Sequence, residues 1–514
     1  MSELDRISIN DSYNQYKEYT NLPKLLKRYS LDEKMRVACL QSSRVMDFGG
    51  KMGKENSQYL IPPWCLETFV MLALEADEYN NGRFEGKGEK RFWEIINTIW
   101  AASGKVFENY QGRFDFIDVF FPVSLLTQFP TQESYRIKLF RFWNVFRNNS
   151  EPIHLKELFK QKFGADYYDY LMLAETLYTI IELLPQIKSV IIPQKVISYL
   201  IIKRFPEATR NLMISREEYV RLQKEYVQGS NDPYRYTYSV RPSFQYAFVS
   251  AGNMFYFPLP HLIVQNVTTS LMYRLTEGEN QLRTDIGLYI WEPYLLNLMH
   301  DGIEHGLYEE VLPEQEYTYK GSKSQSPDVL VRNGEDILFM DSKSTVPSAG
   351  IRTLNEKAYE THISIVGGYI AKLYRQICRF QLYNPFPSIE TKDCKNYWGV
   401  IVVLEDSHIG REFYFEKARV ELKLSKESDE FKWICEHIQV AGLYDIELMS
   451  LTGQSVIDAC KNAHQDTTWK YSFSGSPDEP KPFVSKSFRE FEEMLHRDFK
   501  VILGELREHG CFSK

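Results

Sequence analysis

Several features that mark whole classes of protein are missing from this 514-residue chain. It contains no run of eighteen apolar residues, so the sequence predicts no transmembrane helix and no membrane partner. Its first residues lack the basic and apolar regions of a signal peptide. The seven cysteines are scattered and include no C-x-x-C pair, which is typical of free thiols in a reducing compartment. We therefore expect a soluble, cytoplasmic protein.

Sequence motifs of several large enzyme classes are also missing. There is no G-x-x-x-x-G-K-[ST] loop, so a P-loop nucleotide hydrolase is not indicated. No G-x-S-x-G nucleophile elbow occurs. His300 and His305 are five residues apart, which is the wrong spacing for an H-E-x-x-H zinc helix.

The composition is that of a globular protein, with 43% hydrophobic and 25% charged residues. A chain of this length is expected to form two or three domains. The formal net charge of −8 argues against a surface that is basic overall, but it leaves room for a local basic cleft. Aromatic residues make up 14% of the chain, which we interpret as an aromatic-rich core rather than as a base-stacking surface.

The order of hydrophobic patterns predicts an α+β multidomain protein. Three- and four-residue apolar spacings dominate residues 1–230, which we expect to form a mainly helical domain with a sensing, regulatory or binding role. The turn-forming segment 229–233 is the expected boundary. Residues 231–285 then read as a β-hairpin and helix connector. Residues 286–405 form the predicted α/β core, and residues 406–514 a C-terminal α/β extension that ends in an amphipathic helix.

Within the predicted core, individual elements are expected at defined places. A helix spans 286–300, with Pro293 inside it or at a kink, and the first strand of the sheet spans 312–320. Residues 353–356 read as a capping box that opens a helix to about Tyr383, with a break at Gly367 and Gly368. An apolar run at 398–404 predicts a buried strand, and a further strand is expected at 444–450. Ser487 is the expected cap of the last helix.

Residues 326–345 contain the main candidate site residues. Two apolar runs flank Asn333-Gly334, which is a strong hairpin signal between β-prone segments. Asp328 opens the first run and Asp341 closes the second, with Lys343 two residues later. Alternation along a strand puts Asp341 and Lys343 on one face, and the hairpin returns Asp341 toward Asp328. Two carboxylates and an ammonium are therefore expected to converge at one end of the hairpin.

Pro327-Asp328, twelve residues, then Asp341-Ser342-Lys343 resembles the PD-(D/E)xK signature of restriction-endonuclease-like nucleases. The resemblance covers about 285–405. It implies a restriction-endonuclease-like α/β core with a mixed central sheet, following the helical domain. Asp341 stands where the superfamily more often has Glu.

The resemblance also implies a set of site residues. Asp328 and Asp341 would be ligands of Mg²⁺, for which Mn²⁺ may substitute, together with the carbonyl of Ser342. Glu292 is the candidate third acid, supplied by the helix before the hairpin, with Glu304 in reserve. Lys343 would orient the attacking water or stabilise developing charge. Gln376, with Lys372, occupies a place comparable to the polar residues that face the site in related nucleases.

The function implied is a Mg²⁺-dependent phosphodiesterase, with an endodeoxyribonuclease favoured because the superfamily mostly cuts DNA. A large extra domain resembles restriction or anti-phage defence effectors. Two alternatives stay open, namely an RNA-cleaving nuclease of the same fold and a non-catalytic nucleic-acid-binding or assembly subunit. A homo-oligomer or a partner protein is a further expectation.

Overall fold

In the computed structural model, the described residues are 21–47, 61–78, 81–85, 87–108, 133–184, 191–227, 241–463 and 482–512, with isolated positions at 19, 114, 115, 118, 122, 123, 126 and 189. The expected boundary at 229–233 lies outside them, and the division into domains stays a prediction. All seven cysteines are described and carry free thiols. No helix among the described residues is long and apolar enough to cross a bilayer.

Helices make up most of the described chain before residue 241, as the apolar spacings predict. The α-helices whose bounds fall in the described residues are α1 Leu22–Leu26, α2 Leu31–Asp47, α3 Pro63–Glu75, α4 Lys87–Glu108, α5 Tyr135–Phe146, α6 Leu155–Phe163, α7 Tyr167–Leu183, α8 Gln194–Tyr199, α9 Pro206–Asn211, α10 Arg216–Val227, α11 Ile263–Val267, α12 Thr269–Thr276, α13 Asn280–Ile286, α14 Glu292–Glu304, α15 Ala349–Arg352, α16 Glu356–Leu382, α17 Arg411–Leu422, α18 Asp429–His437, α19 Leu443–Leu451, α20 Val456–Ala463 and α21 Lys486–Glu508.

Three sheets accompany these helices. The strands are β1 Met213–Ser215, β2 Phe248–Ala251, β3 Met254–Tyr256, β4 Glu310–Pro313, β5 Glu316–Tyr319, β6 Ser322–Gln325, β7 Val329–Asn333, β8 Asp336–Lys343, β9 Asn396–Val403 and β10 Ile438–Gly442. The largest sheet has the order β10-β9-β8-β7-β4. Its pairs β4–β7 and β7–β8 are antiparallel, whereas β8–β9 and β9–β10 are parallel. The expected α+β class with a mixed central sheet is confirmed.

The predicted hairpin is β7 and β8. Its register pairs Val329 with Met340 and Asn333 with Asp336, so Gly334 and Glu335 form a two-residue loop. Gly334 has a φ of +58°, a conformation that glycine adopts at little cost. The Asn-Gly signal therefore marks the turn, although Asn333 is the last residue of the strand rather than part of the loop.

Both faces of the central sheet are buried, because alternate residues of each strand enter two different hydrophobic cores. Val331, Leu338, Met340 and Val400 share one core with α5, α7, α14 and α21. Leu330, Phe339 and Ile401 share the other core with α16 and with the early helices α2–α4. Helices from the N-terminal half thus contribute to the cores on both sides of the sheet, which explains why its strands read as continuous apolar runs.

Two expected strands differ from the structure. Residues 444–450 are helical within α19, whose first turn is capped by the Asp445 side chain accepting a hydrogen bond from the Gly442 backbone N–H, whereas the strand is the preceding β10. β10 adds a fifth strand to the central sheet from the segment expected to be an extension. The expected strand at 312–320 is two strands: β4 joins the central sheet, and β5 pairs with β6 in a separate two-stranded sheet.

Helix boundaries also need correction. α16 runs without a break through Gly367, where a Cβ atom would lie 2.7 Å from the Cβ of Lys417. This glycine serves the close approach of α17 rather than a break. The cap of α16 is Asn355, whose side chain accepts a hydrogen bond from the backbone N–H of Ala358. Ser485, not Ser487, caps α21.

A buried ion pair joins distant parts of the chain. The guanidinium of Arg141 on α5 donates two hydrogen bonds to Glu447 on α19, with donor–acceptor distances of 2.8 and 2.5 Å. The Tyr294 hydroxyl on α14 donates to the same carboxylate at 2.8 Å. The Glu447 carboxylate thereby accepts three hydrogen bonds from two partners.

We predict that Arg141→Met destabilises the protein by about 3–5 kcal/mol, because it leaves the Glu447 charge buried without its cation. Urea denaturation of the two proteins measures the difference. The double variant Arg141→Met/Glu447→Gln is the control and should lose less stability than Arg141→Met alone. Equal losses of stability in the two variants would show that the unpaired Glu447 charge is not the cause of the destabilisation.

Candidate active site

Three acids form a row across the ends of adjacent strands. Val329 pairs with Pro313 on one side and with Met340 on the other. One residue further out, Asp328 therefore lies between Glu314 and Asp341. The Asp341 side chain is fully buried, and Asp328 is 8% exposed. Because the pairing register fixes which residues are neighbours, the hairpin itself brings the two aspartates together.

The lysine of the motif lies against both aspartates. Lys343 Nζ is 2.6 Å from Asp341 Oδ2 and 4.0 Å from Asp328 Oδ2, and it donates a hydrogen bond to the Ser342 carbonyl at 2.9 Å. The backbone N–H of Ser342 donates to Asp328 Oδ2 at 2.6 Å. The sequence therefore placed Asp328, Asp341, Ser342 and Lys343 in one cluster correctly.

A second lysine reaches the cluster from α16. Lys372 Nζ lies 3.7 Å from Asp341 Oδ1, and its side chain is 54% exposed. Gln376, one turn later, is buried, and its amide nitrogen donates to the Gln325 carbonyl at 3.1 Å. Its Oε1 atom has no hydrogen-bond partner among the described residues. Gln376 therefore ties α16 to β6, while Lys372 makes the contact with a candidate ligand.

Glu292 is the first residue of α14 and follows a π-helical turn, Gly287–Trp291. Pro293 occupies the second position of α14 and does not end the helix. The wider π turn accommodates the missing backbone N–H of this proline. Glu304, the reserve acid, lies twelve residues along the same helix, roughly 18 Å away at 1.5 Å per residue, so it does not join Glu292.

Burial and mutual repulsion raise the pKa values of several acids in the cluster. Burial, and after it the negative charge of Asp328, raises the pKa of Glu292 to about 8. Burial and the Asp341 carboxylate raise the pKa of Asp328 well above its usual range. Burial also raises the pKa of Glu314, and Asp341 adds to this shift although Lys372 opposes it. Glu314 is thus a fourth acid of the site.

Lys343 keeps its proton. Burial favours the neutral amine, but the Asp341 and Asp328 carboxylates outweigh that effect and raise the pKa of Lys343 above its ordinary value. The ammonium also lies 5.4 Å from the centre of the Tyr369 ring, a cation–π contact that favours the charged form. Lys343 is therefore a fixed positive charge in the metal-free site.

The four carboxyl groups outnumber the two ammonium groups, so the cluster lacks positive charge when all are ionised. Neither carboxylate oxygen of Asp341 makes a hydrogen bond of ordinary geometry with the described residues, even though the Lys343 ion pair is short. The ion pair depends on the distance between the charges, whereas a hydrogen bond also requires alignment. Buried carboxylate oxygens with spare lone pairs are the donors that a hard divalent cation takes.

No three Cys, His, Asp or Glu side chains in the described part of the chain already converge at metal-binding distance. The donors at hand are Asp328, Asp341, the Ser342 carbonyl and, further out, Glu292. Mg²⁺ commonly binds through one or two carboxylates and keeps several waters, so this donor set fits Mg²⁺ or Mn²⁺ better than a closed zinc site.

Two site residues were missed or undervalued from the sequence. Glu314 was assigned to the interior of a single strand at 312–320, and only the break between β4 and β5 places it beside Asp328. Lys372 had a usable signal, because it shares a helix face with Gln376 by a spacing of four. The structure brings this lysine, rather than Gln376, to the carboxylates.

No protein-family model, curated protein or solved structure matches this chain significantly. The superfamily resemblance, the roles of the site residues and the expected defence role therefore stay predictions.

We predict that Glu292→Gln stabilises the metal-free protein, and more so at pH 8 than at pH 5. The folded protein holds the Glu292 proton up to about pH 8, whereas an unfolded chain releases it near pH 4.3. Stability is therefore lost as the pH rises through this window, and the glutamine avoids the loss. Thermal melting in EDTA measures the effect.

The matched control is Glu304→Gln, at the exposed end of the same helix. It should give no gain that grows with pH. A gain in stability from Glu292→Gln that is the same at both pH values would show that Glu292 does not interact with the acidic cluster.

Proposed function

We propose that this chain is a metal-dependent nuclease that hydrolyses phosphodiester bonds, with DNA as the favoured substrate. The observation that carries the proposal is the buried cluster at the strand ends of the central sheet, in which Asp328, Asp341 and Lys343 meet and the acids exceed the lysines. The spacing of these residues in the sequence, which resembles the PD-(D/E)xK signature, supports the same function. An excess of buried acid is costly in a purely structural role.

Asp328, Asp341 and the Ser342 carbonyl would hold Mg²⁺, with Mn²⁺ as a substitute, and Glu292 lies close enough to sense its charge. When bound, such a cation supplies Lewis-acid stabilisation of the charge that develops on the phosphoryl oxygens. Glu292 would release its proton as positive charge enters the cluster, because the repulsion that raises its pKa is then offset.

Lys343 would contribute a hydrogen-bond donor and a positive charge next to the attacked phosphate. Its raised pKa argues against a role as the general base, since it holds its proton at neutral pH. Lys372 is half-exposed above Asp341, where it can contact a phosphate that enters from solvent. Both lysines therefore act on developing negative charge rather than by proton abstraction.

We predict that Asp341→Ala and Lys343→Ala each lower the cleavage rate at least about a hundredfold, because each removes charge stabilisation at the reacting phosphate. Plasmid, single-stranded DNA and RNA substrates are incubated with Mg²⁺ or Mn²⁺, and EDTA should abolish cleavage. Lys395→Ala is the matched control, since Lys395 forms an exposed ion pair with Glu335 at the opposite end of the same hairpin.

Cleavage that survives both substitutions would refute the site. Faster cleavage of RNA than of DNA would establish the alternative substrate with the same residues. If no substrate is cut, a thermal-shift titration with Mn²⁺ decides between an inactive enzyme and a non-catalytic subunit. Stabilisation by Mn²⁺ that is lost in Asp341→Ala supports the metal site, and its absence supports the non-catalytic alternative.

A further inference from the structure

A small hairpin stands beside the candidate active site. β5 and β6 pair only with each other among the described strands, and their last residue, Gln325, accepts the hydrogen bond from Gln376 on α16. Gln325 also contacts Glu314, with its amide nitrogen 3.4 Å from Oε2. The hairpin is thus anchored at its base to the acidic cluster.

Aromatic rings line the face of this hairpin that meets α16. Tyr317 and Tyr319 alternate along β5, opposite the small residues Ser324 and Ser322. The Tyr317 ring stacks on Tyr383, with centroids 5.5 Å apart and planes inclined by 18°. The Arg379 guanidinium lies 5.4 Å from the centre of the Tyr319 ring. Tyr383 remains 48% exposed, so one of its faces is open to solvent.

Basic side chains of α16 lie between the acidic cluster and these aromatic rings. Lys372, Gln376 and Arg379 succeed one another at spacings of four and three, which places them along one face of α16, and Tyr383 is the residue that follows the helix. Lys372 and Tyr383 are eleven residues apart, a distance of roughly 16 Å at helical rise, or about five stacked bases at ~3.4 Å each. A basic and aromatic track therefore leads from Asp341 to the exposed rings.

The tip of the hairpin adds a lysine in an unusual conformation. Lys320 and Gly321 both have positive φ, at +50° and +78°, as a two-residue turn of this kind requires. Asparagine is the residue that best tolerates the first position, and lysine is disfavoured there. Turn geometry does not explain Lys320, but its charge continues the basic track, with the ammonium 5.4 Å from the Tyr319 ring centre.

We propose that this surface, formed by Tyr317, Tyr319, Lys320, Arg379 and Tyr383, binds unpaired nucleotides and feeds a single strand to the active site. The inference rests on the proposed function. Stacking requires bases whose faces are open, which single strands and frayed ends offer and an intact duplex does not. Lysine and arginine along the track suit the phosphates of such a strand.

Binding is measured by fluorescence anisotropy with the full-length protein in EDTA, so that cleavage does not interfere. The probes are a labelled 20-nucleotide single-stranded DNA, the RNA of the same sequence and the corresponding DNA duplex. We expect both single strands to bind more tightly than the duplex. Preference between the two single strands reports on the sugar, and either preference supports the surface. Duplex binding as tight as single-strand binding would overturn the proposal.

Tyr383→Ala should weaken single-strand binding about tenfold, the effect of removing one stacked base, and should leave duplex binding unchanged. Tyr383→Trp should retain the affinity, because indole also stacks. Tyr226→Ala removes an exposed tyrosine of α10 and serves as the control. Single-strand binding by folded Tyr383→Ala that equals the wild type would overturn the proposal.

Lys320→Asn provides a test that does not depend on tolerance of an aromatic deletion. Asparagine suits the turn, so the melting temperature should hold or rise. The single-strand affinity should fall nevertheless, and its dependence on log salt should become shallower by about 0.7 for one lost phosphate contact. An unchanged salt dependence would exclude Lys320 from the surface.

The two proposals can fail separately. Cleavage that requires Asp341 but is indifferent to Tyr383 and Lys320 on single-stranded substrates would overturn the binding surface and leave the nuclease in place. Single-strand binding that requires Tyr383, with no cleavage of any substrate and no stabilisation by Mn²⁺, would support the surface and overturn the nuclease.

Discussion

The structure depends on how it accommodates ionised carboxylates inside a sheet that is covered on both faces. Two buried acids, Glu447 and Asp341, have opposite electrostatic surroundings. Glu447 receives two hydrogen bonds from Arg141 and one from Tyr294, so its charge is matched by donors. Asp341 is equally buried, yet its neighbours include further acids whose pKa values are raised. The acids around Asp341 outnumber the lysines, whereas Glu447 is matched by its donors, and this imbalance is what makes the cluster a candidate binding site.

The elements that the sequence predicts well are those whose cause is local. Asn333-Gly334 between two β-prone runs is sufficient to specify the hairpin, and the hairpin register then places Asp328 beside Asp341. The segment 444–450 fails for the opposite reason. Its apolar run is compatible with a strand or a helix, and the charged Glu447 within it is accommodated by Arg141, about three hundred residues away. Sequence patterns near a residue do not report a partner at that distance.

Some residues of the candidate site are likewise predictable from local sequence, whereas others are placed by tertiary packing. Asp328, Asp341 and Lys343 follow from one hairpin and from strand alternation, so their convergence was predictable. Glu314 comes from a neighbouring strand whose end was placed wrongly, and Lys372 comes from a helix that packs over the sheet. Both depend on tertiary packing, in which an error of two or three residues in one boundary removes a side chain from the predicted site.

The packing of α16 in the core determines where its polar side chains lie. Its apolar face, including Ile370, Leu373 and Ile377, lies in the core against the sheet, and Gly367 lets α17 approach closely. These contacts fix the rotation of the helix. Since each residue turns the helix by about 100°, that rotation decides that Lys372 meets Asp341 while Arg379 meets the β5–β6 hairpin. The core residues of α16 thus determine the geometry of the polar residues without contacting any substrate.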